Sequence, residues 1–332
     1  MGFSEAAASD YLDSEMLVTS SAIPLSEGET SVEFGLTYTN AKDGKRGYYR
    51  GDWGRTRRGQ LAGRPAYDGS LFIYEWRLEA AMGVAPETEV GISTGYVDIY
   101  DRMHRGREGA LIHVGGDDRE FHKGFYGGAH SRGMDDLTIY AKRRLLEDGG
   151  TSVALITGLT IPTGRESKVS AGSLESGRAR LGAGQNFWSL EPKLALTQKM
   201  DEFVLNADIG YMVPFGRTRR AYMKDFGEHT SLRRRGDKDE ILVYQKRKEY
   251  GVMDINIGAV YDEGPVRPLV ELNYAHRVVS GGSGSNIVHA MIGSVITIGE
   301  DLPRIKVGYQ HPVTGSNAAR TRRFLLSTAY NF

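Results

Sequence analysis

The side chains best placed to do chemistry in this chain are acids and bases spaced two residues apart. Glu75, Arg77 and Glu79 stand in F-I-Y-E-W-R-L-E, Glu191 and Lys193 in L-E-P-K-L, and Asp208, Asp254 and Glu271 are each flanked by apolar residues. A repeat of two belongs to the β-strand, whose side chains alternate between faces. The intervening positions are greasy: Phe72, Tyr74, Trp76, Leu78, Ala80 and Met82 alternate with Glu75, Arg77 and Glu79. One face is therefore ionic and the other apolar, and a charge on a lipid-facing position of a membrane strand costs about 2–4 kcal/mol at the bilayer midplane.

Parity extends the ionic face to Glu33, Lys142, Arg144, Asn206, Asn256, Asn273 and Lys306. If the strands close into a cylinder, Glu33, Glu75, Arg77, Glu79, Lys142, Arg144, Glu191, Lys193, Asp208, Asp254, Glu271 and Lys306 line its lumen. Two kinds of chemistry are then open. Rings of mixed charge can select and orient a passing solute. Alternatively, the same charges pair with one another and fill a narrow barrel. Arg143 falls on the lipid-facing parity beside a turn, where its head can snorkel to the headgroups.

A second set of charges lies between the strands. Residues 41–69 hold eight basic and three acidic side chains, and residues 216–251 hold eleven and six. The clusters Arg55, Arg57, Arg58 and Arg233, Arg234, Arg235 suit bidentate phosphate contacts. Lipopolysaccharide phosphates are their natural partner and an anionic solute the second, with a merely solvated loop surface as the plain alternative. His104, His113, His122 and His130 crowd another loop near Asp117, Asp118 and Glu120, at spacings that match no compact ligand motif, so no metal is expected. Of His276, His289 and His311, alternation points only His289 inward. Serines near histidines (Ser131 after His130, Ser285 before His289) belong to no nucleophile motif, so neither catalysis nor a cofactor is expected.

Twelve alternating segments must carry these groups. They are 31–39, 70–83, 88–100, 136–146, 151–161, 187–197, 203–213, 252–261, 269–276, 287–298, 304–311 and 324–332. About ten residues suffice for a tilted strand to cross the hydrocarbon, and an even count returns both termini to one side. The connections alternate in length. Val84–Glu87, Glu147–Gly150, 198–202, 262–265 and 299–301 are short, whereas 40–69, 101–135, 162–186, 214–251, 277–286 and 312–323 are longer. A sandwich or propeller has no reason to sort its connections by parity. The expected fold is all-β, a transmembrane antiparallel up-and-down barrel of twelve strands with short periplasmic turns and long extracellular loops. Residues 30–332 form the barrel and residues 1–29 a periplasmic segment, as a short tail or a partial plug. Residues 1–29 lack the regions of a signal peptide and read as a mature start.

The final strand, F-L-L-S-T-A-Y-N-F, puts Phe324, Leu326, Thr328, Tyr330 and Phe332 on one face. An aromatic ring at that end suits the interfacial girdle. It also resembles the C-terminal signal of bacterial outer-membrane barrels, which implies recognition of the Phe332 end by the barrel assembly machinery.

D-D-L-T-I-Y-A-K-R-R-L-L-E-D-G-G-T-S-V-A-L-I-T-G-L-T-I-P-T-G, residues 135–164, resembles the central hairpin of the outer-membrane family linked to meta-pathway phenol degradation. P-L-S-E-G-E-T-S-V-E-F-G-L-T-Y, residues 24–38, is similar to that family's first strand. The resemblance implies a channel-like barrel, small organic compounds as cargo, and no catalytic residues.

Composition agrees with these patterns. The chain has 332 residues, no cysteine, 42 basic and 42 acidic side chains, 43 glycines and 18 tyrosines. Disulfide scaffolds and thiolate metal sites are excluded, and balanced charge gives no nucleic-acid footprint. No run of 18 apolar residues supplies a transmembrane helix.

The readings that follow are an outer-membrane, porin-like channel for passive diffusion of small solutes, hydrophobic or aromatic ones among them, and a structural or partner-binding barrel with a closed lumen. A barrel enzyme is the third reading and lacks a motif. Outer-membrane lipid and lipopolysaccharide are the expected surroundings in each.

Overall fold

The computed structural model describes residues 16–42, 69–103, 110–114, 117–121, 129–164, 188–215, 221–224, 240–243, 251–277, 285–299, 302–316 and 320–332. All regular structure among them is strand: β1 (Thr30–Lys42), β2 (Gly69–Ala85), β3 (Thr88–Met103), β4 (Ala110–Val114), β5 (Asp117–Phe121), β6 (Ala129–Met134), β7 (Leu137–Asp148), β8 (Thr151–Ile161), β9 (Trp188–Met200), β10 (Phe203–Phe215), β11 (Ala221–Lys224), β12 (Glu240–Val243), β13 (Val252–Tyr261), β14 (Val266–Arg277), β15 (Ser285–Ile296), β16 (Arg304–Ser316) and β17 (Arg320–Asn331).

Each barrel strand pairs antiparallel with its neighbours, and β17 returns to β1 in an unbroken register from Ser31↔Asn331 to Lys42↔Arg320. The sheet is thereby a closed cylinder of twelve strands, with β6 and β7 sharing one position in the ring. Closure pairs the first barrel strand with the last, the condition for a sheet to stand in lipid, while β6 pairs with β3 alone among the described residues. β4–β5 and β11–β12 are small hairpins that pair only with each other. The tight connections gather at one end. Gly149 and Gly150, at φ 53° and 83°, form the two-residue turn between β7 and β8. β2 and β3 have 17 and 16 residues, longer than a crossing requires, and so project past the hydrocarbon at the other end.

Period two sorts the faces as the alternation predicts. Outward, Ile257, Leu272 and Ile292 are 56%, 55% and 62% exposed, while inward Glu271, Asn273 and Gln310 are 2%, 1% and 0% exposed. A soluble protein does not present so extensive an apolar surface; around a closed sheet it is the face that meets acyl chains. Trp188 and Phe215 lie on this outer face toward the long-loop end, and Phe203 and Tyr261 at the tight-turn end, each pair in ring contact. They are placed as aromatic girdles are.

Two departures from regular alternation matter. The strand expected over 136–146 is β7, but the connection expected over 101–135 contains β6, and the chain breaks at Asp135–Asp136 between the two. The long-loop half of β3 pairs with β6 and the tight-turn half with β7. Near the turn, a bulge between Arg144 and Leu146 leaves Leu145 without a partner position, so strict parity fails there.

Candidate functional site

The inner wall is built from the ionic parity positions. Lys193 Nζ on β9 lies 3.6 Å from Asp208 on β10, 3.5 Å from Asp254 on β13 and 3.8 Å from Glu191. Asn256 donates to Asp208 at 2.8 Å and to Asp254 at 3.2 Å. It accepts from Asn273, whose own side-chain oxygen accepts from Gln310 on β16 at 2.8 Å. A polar chain thus links residues on five strands, and its buried members are partnered as a low-dielectric interior demands, apart from the Gln310 side-chain oxygen, which has no hydrogen-bond partner among the described residues.

On the adjoining arc Lys306 donates to Glu33 at 2.7 Å. Arg77 pairs with Glu79 at 2.8 Å and reaches Ser93 at 3.4 Å. Glu75 lies on the same face of β2 as Arg77, opposite Thr37. Lys142 pairs with Glu89 at 3.3 Å. Arg144 sits close to the β2–β3 and β7–β8 turns, 4.0 Å from Glu87 and 2.9 Å from Glu147. His289 is fully buried and meets the Thr321 hydroxyl at 2.9 Å, while His276 and His311 contact Tyr274 and Tyr309 along the outer face. Arg55, Arg57, Arg58, Arg233, Arg234, Arg235, His104 and His122 lie outside the described residues.

Sequence reasoning left residues 1–29 open between a periplasmic tail and a partial plug, and did not find the path of residues 16–29, which runs inside the barrel. Leu17, Val18 and Thr19 donate their backbone N–H groups to the Glu271 carboxylate at 2.7–3.1 Å, and the Thr19 hydroxyl adds a bond at 2.7 Å. Ser20 N–H donates to Asp208 at 2.6 Å, and Ala22 N–H to the Thr197 hydroxyl at 2.8 Å. The Ile23 carbonyl accepts from Lys142 at 3.3 Å, and Leu25 N–H donates to Glu89 at 2.9 Å. Glu27 then forms a parallel bridge with Gly83, and β1 begins at Thr30.

These partners sit on β14, β10, β9, β7, β3 and β2 in ring order, so the segment follows the inner wall round the cylinder. A Cβ on Gly83 would lie 1.9 Å from the Ser26 carbonyl oxygen, so only glycine admits the backbone there. Met16 and Leu17 pack on a buried cluster of Val204, Val260, Leu269 and Val295, and Ala22 on Ala154 and Ala195.

Glu89 was also missed, though it occupies the ionic parity of β3 beside outward Val90. It is fully buried, bonded to Leu25 N–H, Lys142 and the Tyr140 hydroxyl.

The hairpin that carries the family resemblance has its own chemistry. Asp135 N–H bonds the Gly95 carbonyl at 2.8 Å where β3 changes partner. Asp136 accepts from Gly164 N–H at 2.8 Å, and Thr163 accepts from Leu137 N–H at 2.9 Å. The D-D-L and P-T-G ends therefore clasp each other across the mouth of the β7–β8 hairpin.

Residues 96–221 match the family described as "Putative MetA-pathway of phenol degradation", a range that contains this hairpin. The chain resembles that family, as its motifs imply. Among solved structures it is similar to an outer membrane channel from Pseudomonas putida F1, 12% identical, covering 93% of this chain and 97% of that one at a TM-score of 0.57. The Ralstonia pickettii toluene transporter TbuX is 12% identical over 92% of this chain and 90% of that one, at a TM-score of 0.47. The β domain of the Bordetella autotransporter BrkA is 12% identical over 92% and 100%, also at 0.47. No curated protein matches the chain. At these identities the likeness is one of fold.

Proposed function

We propose that this chain is a channel of the bacterial outer membrane through which small solutes diffuse passively, with small aromatic compounds as the favoured cargo. The observation that carries the reading is the sorting of faces: a closed twelve-strand cylinder, apolar outside, with a hydrogen-bonded polar interior. A lumen that stays polar at a cost in core packing is what a hydrated route requires. The fold it shares with the Pseudomonas channel supports this reading, and the matched family's description, phenol degradation, supports aromatic cargo.

No covalent step is involved. A solute moves down its gradient, exchanging water for the wall's hydrogen bonds, and the charged groups bias which solutes enter. Arg77, Glu79 and Glu33 act here, since their side chains remain 57%, 30% and 34% exposed on the inner face. The arginine clusters of the long connections meet lipopolysaccharide phosphates, and the Phe332 end meets the assembly machinery.

The test is reconstitution. Purified protein should give discrete conductance steps in planar bilayers and swell liposomes in phenols and aromatic acids faster than in disaccharides. A barrel that neither conducts nor admits any solute would instead be a closed, partner-binding one, the reading that the segment packed along the inner wall favours.

A further inference from the structure

Residues 16–25, M-L-V-T-S-S-A-I-P-L, carry no charged side chain, yet the wall holds them with Glu271, Asp208 and Glu89. The recognition is of backbone N–H groups by carboxylates, a charge-assisted bond stronger than a neutral one. Both Glu271 oxygens accept from this segment, and the residue is only 2% exposed as a result. The bed fits the segment as well: a Cβ on Gly308 would come within 2.4 Å of the Leu17 Cδ1 atom, and one on Gly258 within 3.2 Å of Met16 Sδ.

Because its contacts pass in order from β16 to β2, the segment lines most of the lumen's circumference as an open hoop and narrows it. It also covers three acids. Together with Asp254 and the more exposed Glu191, these acids stand against Lys142 and Lys193 on the wall. A bare wall would therefore be net acidic, and acidic linings favour cations.

We propose that residues 16–25 are the selectivity element of the channel, setting its size limit by narrowing the lumen and its ion preference by masking these carboxylates. The inference rests on the channel reading above and deepens it.

Full-length protein in planar bilayers tests it. Thr19→Pro removes two donors from the hoop and leaves the wall acids charged, while Glu271→Gln sets an amide NH2 against N–H donors and removes one acid. Both should raise single-channel conductance about two-fold or more, and Thr19→Pro should move the reversal potential further toward cations than Glu271→Gln, which leaves one wall acid fewer. The chain has no cysteine, so Ala22→Cys with Ala154→Cys can be added to Thr19→Pro as a lock. The oxidised protein should then conduct as the parent does, and reductant should restore the wide, cation-preferring state in the same molecules. A silent parent, with a locked variant that is equally silent until it is reduced, also supports the proposal. Equal conductance and permeability before and after reduction, in a channel that conducts, would overturn it while leaving the channel reading intact. If no variant conducts at all, the channel reading fails and takes this proposal with it.

Discussion

The inner wall has two arcs that handle charge in opposite ways. Along β10, β13 and β14 the inward acids Asp208, Asp254 and Glu271 are tied down. Asp208 is 3% exposed and shared among Lys193, Asn256 and the Ser20 N–H, and Glu271 is buried under the hoop. Along β1 and β2 the same residue types stay wet, and Arg77 keeps more than half its side chain exposed beside Glu79. The contrast separates two uses of one alphabet. Buried charges fix the architecture because breaking them strands a partner. Hydrated ones contribute little stability and remain available to a solute.

This comparison can be broken by substitution. Lys193→Ala should cost most, about 3–5 kcal/mol, because it leaves Asp208 and Asp254 facing each other without their cation; denaturant titration with heat-modifiability on gels would show it. If stability were unchanged, the tied arc would not be structural. Ile257→Arg, on the lipid face, should follow at about 2–4 kcal/mol by the same assay. Asp136→Ala removes the acceptor for Gly164 N–H and should cost about 1–2 kcal/mol, read as faster proteolysis near the hairpin mouth. Arg77→Glu should change stability by at most about 0.5 kcal/mol. It should nonetheless shift the reversal potential toward cations, and an unmoved potential would take the wet arc out of the pathway.

Much of this organisation is legible in the residues. Alternation of Phe72, Tyr74, Trp76 and Leu78 with Glu75, Arg77 and Glu79 marks both the strand and its two environments, since a charge and an aromatic ring cannot exchange faces in lipid. Asp208 and Glu271 could be assigned inward for the same reason. Arg144 shows where the rule weakens: a bulge one residue later places it near the turns, with Glu87 and Glu147, and no periodicity announces a bulge. The break at Asp135–Asp136 was similarly hidden, because β6 and β7 keep one ring position between them. The hoop left the faintest trace. Its bonds are made by main-chain N–H groups, which every residue but proline owns, so only a charge-free decapeptide before β1 hints at it.

Closure of the cylinder sets an order of assembly. The register joining β1 to β17 unites strands at the two extremes of the barrel's sequence, and Leu17 finds Glu271 across 254 positions. Neither contact can exist until nearly the whole chain is present, so both belong to late folding, when contacts of long sequence separation form. The seam and the hoop's binding groove mature together, and protection of the Leu17–Thr19 amides from hydrogen exchange would time the moment the wall becomes whole.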